Sequence, residues 1–247
     1  MDDGPSRRSD RGGVSREVPS GPCGATDAFS GMEPPEARAP SVRTKRRSHR
    51  ALEESRVAQN KKNAARLGAH IVFCDESGFL LIPNVVCTWA PRGETPIIRH
   101  RYRRDKVSVI SGISVSPCRQ SLGLYFRLFP CNIGHDEVCE FLRDLLRHLR
   151  GPVIALLDNS TPHRGEPLRM FRRLYPRLRV EYFPSYAPQL NPDEGVWSLA
   201  KRKLANSRPD NVYQLVDQVI DTLEDIRCSP TKLRGCFDQS ELPPFLR

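Results

Sequence analysis

Residues 71–74 read Ile-Val-Phe-Cys, and two acids, Asp75 and Glu76, follow them directly. A short apolar run rich in β-branched and aromatic residues is typical of a strand that is buried on both faces of a sheet. The carboxylates then either lie in water just past the sheet edge or line the crevice at the carboxyl ends of the strands, where a cation can bind. This segment alone leaves both interpretations open.

A second apolar run ends in an acid much further along the chain. Residues 153–157 read Val-Ile-Ala-Leu-Leu and precede Asp158. Between the two runs, residues 106–116 alternate apolar and small polar side chains, and residues 122–129 follow after a turn, which is typical of a β-hairpin. Residues 179–183 are predicted to form one more strand, which makes five.

Helical patterns lie between and after these strands. The predicted helices cover residues 135–149, 164–175, 191–205 and 211–227. An antiparallel pair followed by right-handed crossovers predicts an α/β fold, a five-stranded mixed sheet flanked by helices on both faces. The Asp75 and Asp158 strands are expected to be adjacent and parallel, so that both carboxylates reach the same edge of the sheet.

The composition divides the 247 residues into four segments. Residues 1–50 are rich in Pro, Gly, Ser and Arg without apolar periodicity, and this pattern predicts a disordered basic leader. Residues 51–68 are good helix formers and are expected to connect the leader to a domain at 69–228. Residues 229–247 are expected to form a C-terminal tail.

The charge balance indicates a polyanionic partner. The chain carries 39 Lys and Arg against 29 Asp and Glu, a net charge of +10, which suits nucleic acid. The first residues lack the apolar core of a signal peptide, and no apolar run approaches the length that spans a membrane. Eight cysteines without a Cys-x-x-Cys pair are typical of reduced thiols, so a cytoplasmic location is expected.

A basic segment precedes the predicted hairpin. Arg99, Arg101 and Arg103 fall at period two, so an extended chain places them on one face. Three guanidinium groups there suit a phosphate backbone, and a sheet edge protected by charge explains them equally well. The residues predicted to contact DNA are Arg92, Arg99, Arg101, Arg103, Arg104, Lys106, His163, Lys201 and Lys203.

Residues 191–194 read Asn-Pro-Asp-Glu and are typical of a helix start. With Asn191 as N-cap and Pro192 in the first turn, Glu194 completes a capping box. Taken alone, this pattern explains Glu194 without any chemistry. The alternative is that Glu194 is a third carboxylate beside Asp75 and Asp158.

The three acids together resemble the catalytic triad of the DDE transposases, with 35 residues between Asp158 and Glu194. Within these enzymes, the chain looks most like the mariner-related group of bacterial insertion sequences. The likeness covers residues 60–227. The segments that carry it are Phe73–Ser77, Trp89–Gly93, Leu157–Asn159 with His163, and Tyr186–Trp197.

The resemblance implies a ribonuclease H-like catalytic domain in which Asp75, Asp158 and Glu194 are catalytic and bind metal. Oxygen ligands of this kind suit Mg²⁺ or Mn²⁺, and two ions can clamp an in-line phosphoryl displacement. The implied reaction is cleavage of transposon ends followed by strand transfer into target DNA. Asn159 is expected to fix the loop geometry. His163 is either a group near the scissile phosphate or a loop histidine hydrogen-bonded to the backbone.

Proteins of this group carry helix-turn-helix modules ahead of the catalytic domain, and residues 1–50 cannot build such modules. The expected partners are therefore double-stranded DNA, a second copy in a homodimer and a separate helix-turn-helix chain, in association with the nucleoid. Two alternatives stay open: a non-catalytic DNA-binding remnant that acts as a repressor, and a ribonuclease H-type hydrolase. The complete triad favours active chemistry, and the basic region after Asp75 favours a transposase.

Overall fold

The computed structural model describes residues 58–82, 86, 92, 105–183 and 188–242. The predicted leader, the loop motif around Trp89 and the arginines at 99, 101, 103 and 104 lie outside these residues. No helix within the described part is long and apolar enough to cross a membrane.

A five-stranded mixed sheet forms the centre of the fold, which confirms the predicted class. Its strands are β1 (His70–Leu80), β2 (Lys106–Val115), β3 (Leu122–Phe129), β4 (Val153–Leu157) and β5 (Leu178–Tyr182), and their spatial order is β3-β2-β1-β4-β5. β2 pairs antiparallel with both β1 and β3, and β4 pairs parallel with both β1 and β5. The predicted adjacency of the two strands that carry the aspartates is therefore confirmed.

The position of Asp75 within β1 differs from the expected strand end. β1 runs to Leu80 and stays paired with β2 over this whole length, with Asp75 opposite Ser111. The parallel pairing with β4 ends earlier, where Phe73 meets Leu156. Asp75 therefore lies in mid-strand, just beyond the point where β1 loses its neighbour. The crevice exists because β1 is longer than β4.

Helices cover both faces of the sheet. They are α1 (58–67), α2 (His135–His148), α3 (Glu166–Leu174), α4 (Asp193–Lys203), α5 (Val212–Arg227) and α6 (Pro230–Gln239), with short 3₁₀ turns at Thr161–His163 and Pro188–Leu190. Phe73 of β1 belongs to the core formed with α4, α5 and α6, whereas Val72 packs with α2 and α3. Side chains alternate along a strand, so Asp75 faces α4 and Glu76 faces the opposite side.

The C-terminal segment that was expected to be a tail contains α6. Ser229 caps this helix by accepting the backbone N–H of Lys232, and Pro230 occupies the first turn. The Phe237 ring meets the Phe73 ring edge-on, with centroids 5.5 Å apart, so α6 is part of the core beneath β1. The Ser-Pro helix start was a usable sequence signal for this element.

Candidate active site

Asp75 lies at the centre of the candidate site, in the crevice beside β4. The indole N–H of Trp197, one turn into α4, donates a 3.1 Å hydrogen bond to Asp75 Oδ2. The Trp197 ring packs edge-on against Phe79, with centroids 6.1 Å apart. Burial and the charge of Glu194 raise the pKa of Asp75 to about 7, and the charge of Asp158 acts in the same direction. Both of the other predicted carboxylates therefore act electrostatically on Asp75.

Asp193 anchors the first turn of α4 to the sheet. Its side chain is 0 % exposed, and Ser111 Oγ donates a 2.7 Å hydrogen bond to Asp193 Oδ2. Asn191 Oδ1 accepts the Asp193 backbone N–H at 3.2 Å, and Asn191 Nδ2 donates a long 3.5 Å bond to the Cys74 carbonyl oxygen. Burial raises the pKa of Asp193 well above its usual range. The start of α4 is thus joined to Cys74 of β1, which precedes Asp75, and to Ser111 of β2, which lies opposite Asp75.

The capping box predicted for Glu194 is wrong. α4 begins at Asp193, and the Asn191 backbone N–H donates to the Pro188 carbonyl oxygen at 2.9 Å. That N–H is therefore not available to the Glu194 side chain, which is exposed. Asn191 does act at the helix start, but through its own side chain. Glu194 is left facing the crevice, where its charge raises the pKa of Asp75.

Asp158 follows the last residue of β4 and is held by the turn after it. Its Oδ1 accepts the Ser160 backbone N–H at 3.0 Å and also contacts His163 Nδ1. His163 Nδ1 lies 3.1 Å from the Asp158 carbonyl oxygen as well. The hydrogen bond from His163 holds the pKa of Asp158 at about 2. Asp158 is therefore ionised at neutral pH.

His163 bridges two carboxylates from inside the protein. It is 0 % exposed, and its Nε2 lies 2.5 Å from Glu76 Oε1. Burial lowers the pKa of His163, but the hydrogen bonds and charges of Asp158 and Glu76 outweigh burial and raise it to about 10. Both ring nitrogens then donate to carboxylates. The backbone contact expected of a loop histidine is present, and the expected DNA contact of His163 stays a prediction.

The ligand atoms of Glu76, Asp158 and His163 lie within 4.8 Å of one another. These atoms are close enough together to hold one metal ion, and the hydrogen bonds of His163 to Asp158 and Glu76 orient both carboxylates. The contact of Glu76 with His163 was not predicted, because it joins residues 87 positions apart and depends on the path of β1.

Four of the other predicted DNA-binding residues lie in the described part of the chain, and all four are exposed. Arg92 and Lys106 are exposed, and Lys106 pairs with Leu80 at the far end of β1, where its Nζ donates to Asn132. Lys201 is exposed on α4. Lys203 forms a 2.6 Å ion pair with Asp225. Their contact with DNA stays a prediction.

Comparison with known families decides the class of this chain. Residues 70–216 match the family described as DDE superfamily endonuclease. The chain belongs to this family. Its members catalyse phosphoryl transfer on DNA, and the family range includes Asp75, Asp158 and Glu194.

Similar proteins extend the comparison. The chain is 27% identical to the Tcb2 transposable-element transposase of Caenorhabditis briggsae, over 87% of this chain and 88% of that protein. It also resembles the Mos1 transposase paired-end complex with left transposon end, at 18% identity and a TM-score of 0.51, over 88% of this chain and 68% of that one. A pre-cleavage Mos1 transpososome gives a TM-score of 0.50 at 15% identity, over 88% and 68%. The fold is therefore ribonuclease H-like, as predicted, and the narrower bacterial insertion-sequence group stays a prediction.

Proposed function

We propose that this chain is the catalytic domain of a DNA transposase that cleaves transposon ends and joins them to target DNA. The observation that carries the proposal is the convergence of Asp75, Asp158 and Glu194. Asp75 and Asp158 lie where the pairing of β1 and β4 ends, and Glu194 lies in the first turn of α4. The electrostatic effect of Glu194 and Asp158 on Asp75 supports their proximity.

The donor set fits hard divalent cations. Two aspartates and a glutamate contribute carboxylates here, and burial together with the Glu194 charge raises the pKa of Asp75. We assign Asp75, Asp158 and Glu194 as ligands of Mg²⁺ or Mn²⁺, with two ions in the working enzyme. When bound, these ions lower the barrier to phosphoryl transfer by stabilising charge on the attacking and leaving oxygens.

Two of the three carboxylates are oriented by hydrogen bonds from other groups of this chain. Trp197 holds one oxygen of Asp75, and the His163 imidazolium with the Ser160 N–H holds one oxygen of Asp158. These partners fix the orientation of each aspartate carboxylate, and so they also set the direction of its second oxygen. Among the described residues, no side chain forms an ion pair with Glu194. Asp75 and Glu194 can therefore take a ligand without first losing an ion pair to another described residue, whereas Asp158 is paired with His163.

The proposed substrate is double-stranded DNA, and the reaction has two steps. Water attacks a phosphodiester at the transposon end and releases a 3′-hydroxyl. That hydroxyl then attacks a phosphodiester of the target, so one P–O bond forms as another breaks. The named activity of the Tcb2 relative and the transposon end held by Mos1 support this substrate class. A homodimer on DNA and a separate helix-turn-helix chain are part of the same proposal.

Isosteric removal of single charges tests the proposed function. Asp158→Asn and Glu194→Gln keep the side-chain shape, and each is expected to abolish metal-dependent nicking of DNA that carries the transposon's own ends. The assay supplies the helix-turn-helix modules on a second chain where end binding needs them. Asp221→Asn, an exposed residue on α5, is the matched control and should nick at the rate of the parent protein.

The outcomes separate the candidate functions. If Glu194→Gln nicks as fast as the parent, Glu194 is not a ligand and the triad is wrong. If the parent binds the transposon ends in Mg²⁺ without nicking them, the chain is the non-catalytic repressor considered above. Cleavage of RNA–DNA hybrids in place of DNA duplexes would instead identify a ribonuclease H-type hydrolase.

A further inference from the structure

Arg164 is an exposed arginine whose side chain is nevertheless held in one place. Its Nε donates a 3.0 Å hydrogen bond to Asn159 Oδ1, and its Nη2 donates to the same oxygen. The guanidinium carbon lies 5.7 Å from the centre of the Tyr182 ring. An exposed arginine usually samples many rotamers. Here the two hydrogen bonds to Asn159 and the contact with the Tyr182 ring hold the guanidinium in one orientation before any ligand binds.

The groups that hold Arg164 belong to the framework of the active site. Asn159 follows Asp158 directly. The Tyr182 hydroxyl donates a 2.7 Å hydrogen bond to the His163 carbonyl oxygen, on the turn that fixes Asp158. The Arg164 backbone N–H closes that turn by donating to the Thr161 carbonyl oxygen at 3.0 Å. The guanidinium therefore has a set position relative to the Asp158 carboxylate.

The charge of Arg164 is oriented but not neutralised. Its acceptor is a neutral amide oxygen, and no carboxylate among the described residues pairs with it. Other arginines are used differently: Arg127 pairs with Glu140 and Asp144, and Arg169 pairs with Glu166 at 2.7 Å. Since two of the five N–H donors of a guanidinium are engaged here, the others remain for an anionic ligand.

We propose that Arg164 binds a backbone phosphate of the DNA strand that enters the active-site crevice, with Asn159 and Tyr182 as its positioning residues. The proposal rests on the proposed function, because it takes DNA as the substrate of the carboxylate site. The free N–H groups of Arg164 donate to the non-bridging oxygens of one phosphate. A guanidinium held on the turn that follows Asp158 selects the register of the strand and so presents one phosphodiester to the carboxylates.

The competing explanation is that Arg164 is one more positive charge on a basic surface. Arg172 is the matched control, because it is an exposed arginine on the neighbouring α3 and carries the same charge. Binding of duplex transposon ends is measured against KCl concentration for the parent, Arg164→Ala and Arg172→Ala. Loss of one phosphate contact should reduce the salt slope by about 1 for Arg164→Ala. A smaller change is expected for Arg172→Ala.

Chemical modification of the DNA locates the contact. Single neutral methylphosphonates are placed at successive positions around the cleavage site. At one position the modification should weaken nicking by the parent about 10-fold or more, and it should add nothing to the defect of Arg164→Ala, because both changes remove the same contact. Arg164→Lys keeps the charge without the planar fork, so its nicking rate should fall between those of the parent and Arg164→Ala.

The proposal is overturned if Arg164→Ala and Arg172→Ala change the salt slope equally, or if every methylphosphonate position is additive with Arg164→Ala. Failure of the proposed function gives a different result, since Asp158→Asn would then nick like the parent. The salt slope is a binding measurement and reports on Arg164 even then. Circular dichroism and thermal melting check that the exposed substitutions leave the fold intact, and Arg164→Lys serves if Arg164→Ala does not fold.

Discussion

Replacing Asp75 with Asn should change how the stability of the metal-free protein depends on pH. The pKa of Asp75 rises from 3.8 to about 7 on folding, because of burial and the neighbouring Glu194 charge. Between these two values the unfolded chain carries an ionised Asp75 and the folded protein carries a proton on it. The contribution of Asp75 to the free energy of unfolding is therefore fully present below about pH 4 and is lost as pH rises toward 7. Asp75→Asn removes this loss.

The size of the effect follows from the pKa difference. A shift of one pKa unit corresponds to about 1.36 kcal/mol, so a shift of about three units corresponds to roughly 4 kcal/mol. Asp75 keeps partial solvent contact, which weakens charge repulsion, and we expect about 2–4 kcal/mol. Asp193 and His163 titrate in the same direction, but both remain in the variant. The difference between parent and Asp75→Asn therefore reports Asp75 together with the part of the Asp193 pKa shift that the Asp75 charge causes.

Urea denaturation in a chelating buffer at pH 4.5, 6.0 and 7.5, followed by tryptophan fluorescence, measures the free energy of unfolding. Parent and variant should have similar dependence below pH 4.5 and diverge by pH 7.5, where Asp75→Asn should be the more stable. Mg²⁺ binds the ionised form, so the rise in melting temperature that it causes in the parent should increase with pH and should be absent in the variant. Parallel pH profiles for the two proteins would refute the reasoning.

Three further substitutions test the surroundings of the site. Ser111→Ala removes the donor to buried Asp193 and should cost about 1–3 kcal/mol of unfolding free energy in urea denaturation; an unchanged midpoint would show that this hydrogen bond is not made. Trp197→Phe keeps most of the packing but removes the N–H bonded to Asp75, so the Mg²⁺ concentration for half-maximal nicking should rise several-fold; equal metal dependence would contradict the orienting role. Phe237→Ala should cost about 3–5 kcal/mol if α6 is part of the core, as thermal and urea unfolding can show, whereas a cost under about 1 kcal/mol would mean that α6 is the dispensable tail first expected.

Local patterns were sufficient to predict the five strands of the sheet, although Asp75 lies in mid-strand and not at the expected strand end. The apolar runs before Asp75 and Asp158 are buried on both faces, so their composition alone identifies them as central strands. β2 and β3 were equally predictable, because the alternation of apolar and polar side chains and a short turn are properties of neighbouring residues. The parallel pairing of β1 with β4 followed from the handedness of crossovers.

The length of β1 and the presence of α6 were harder to predict. Residues 75–78 read Asp-Glu-Ser-Gly, which does not favour a strand, and yet β1 continues through them because β2 supplies a full set of backbone partners. α6 buries only one side, through Leu233, Cys236 and Phe237. In both places long-range pairing or packing outweighs a weak local preference.

The sequence by itself determined which acids are candidates for the chemistry, because acids that follow apolar runs or begin a helix are local features. Tertiary structure alone decided how those acids are held. Glu76 meets His163, and Ser111 meets Asp193, across 87 and 82 residues of chain. Such contacts depend on which strand ends first and which face each side chain takes. No local stretch of residues determines either of these features, since both arise only when the strands pair and the helices pack.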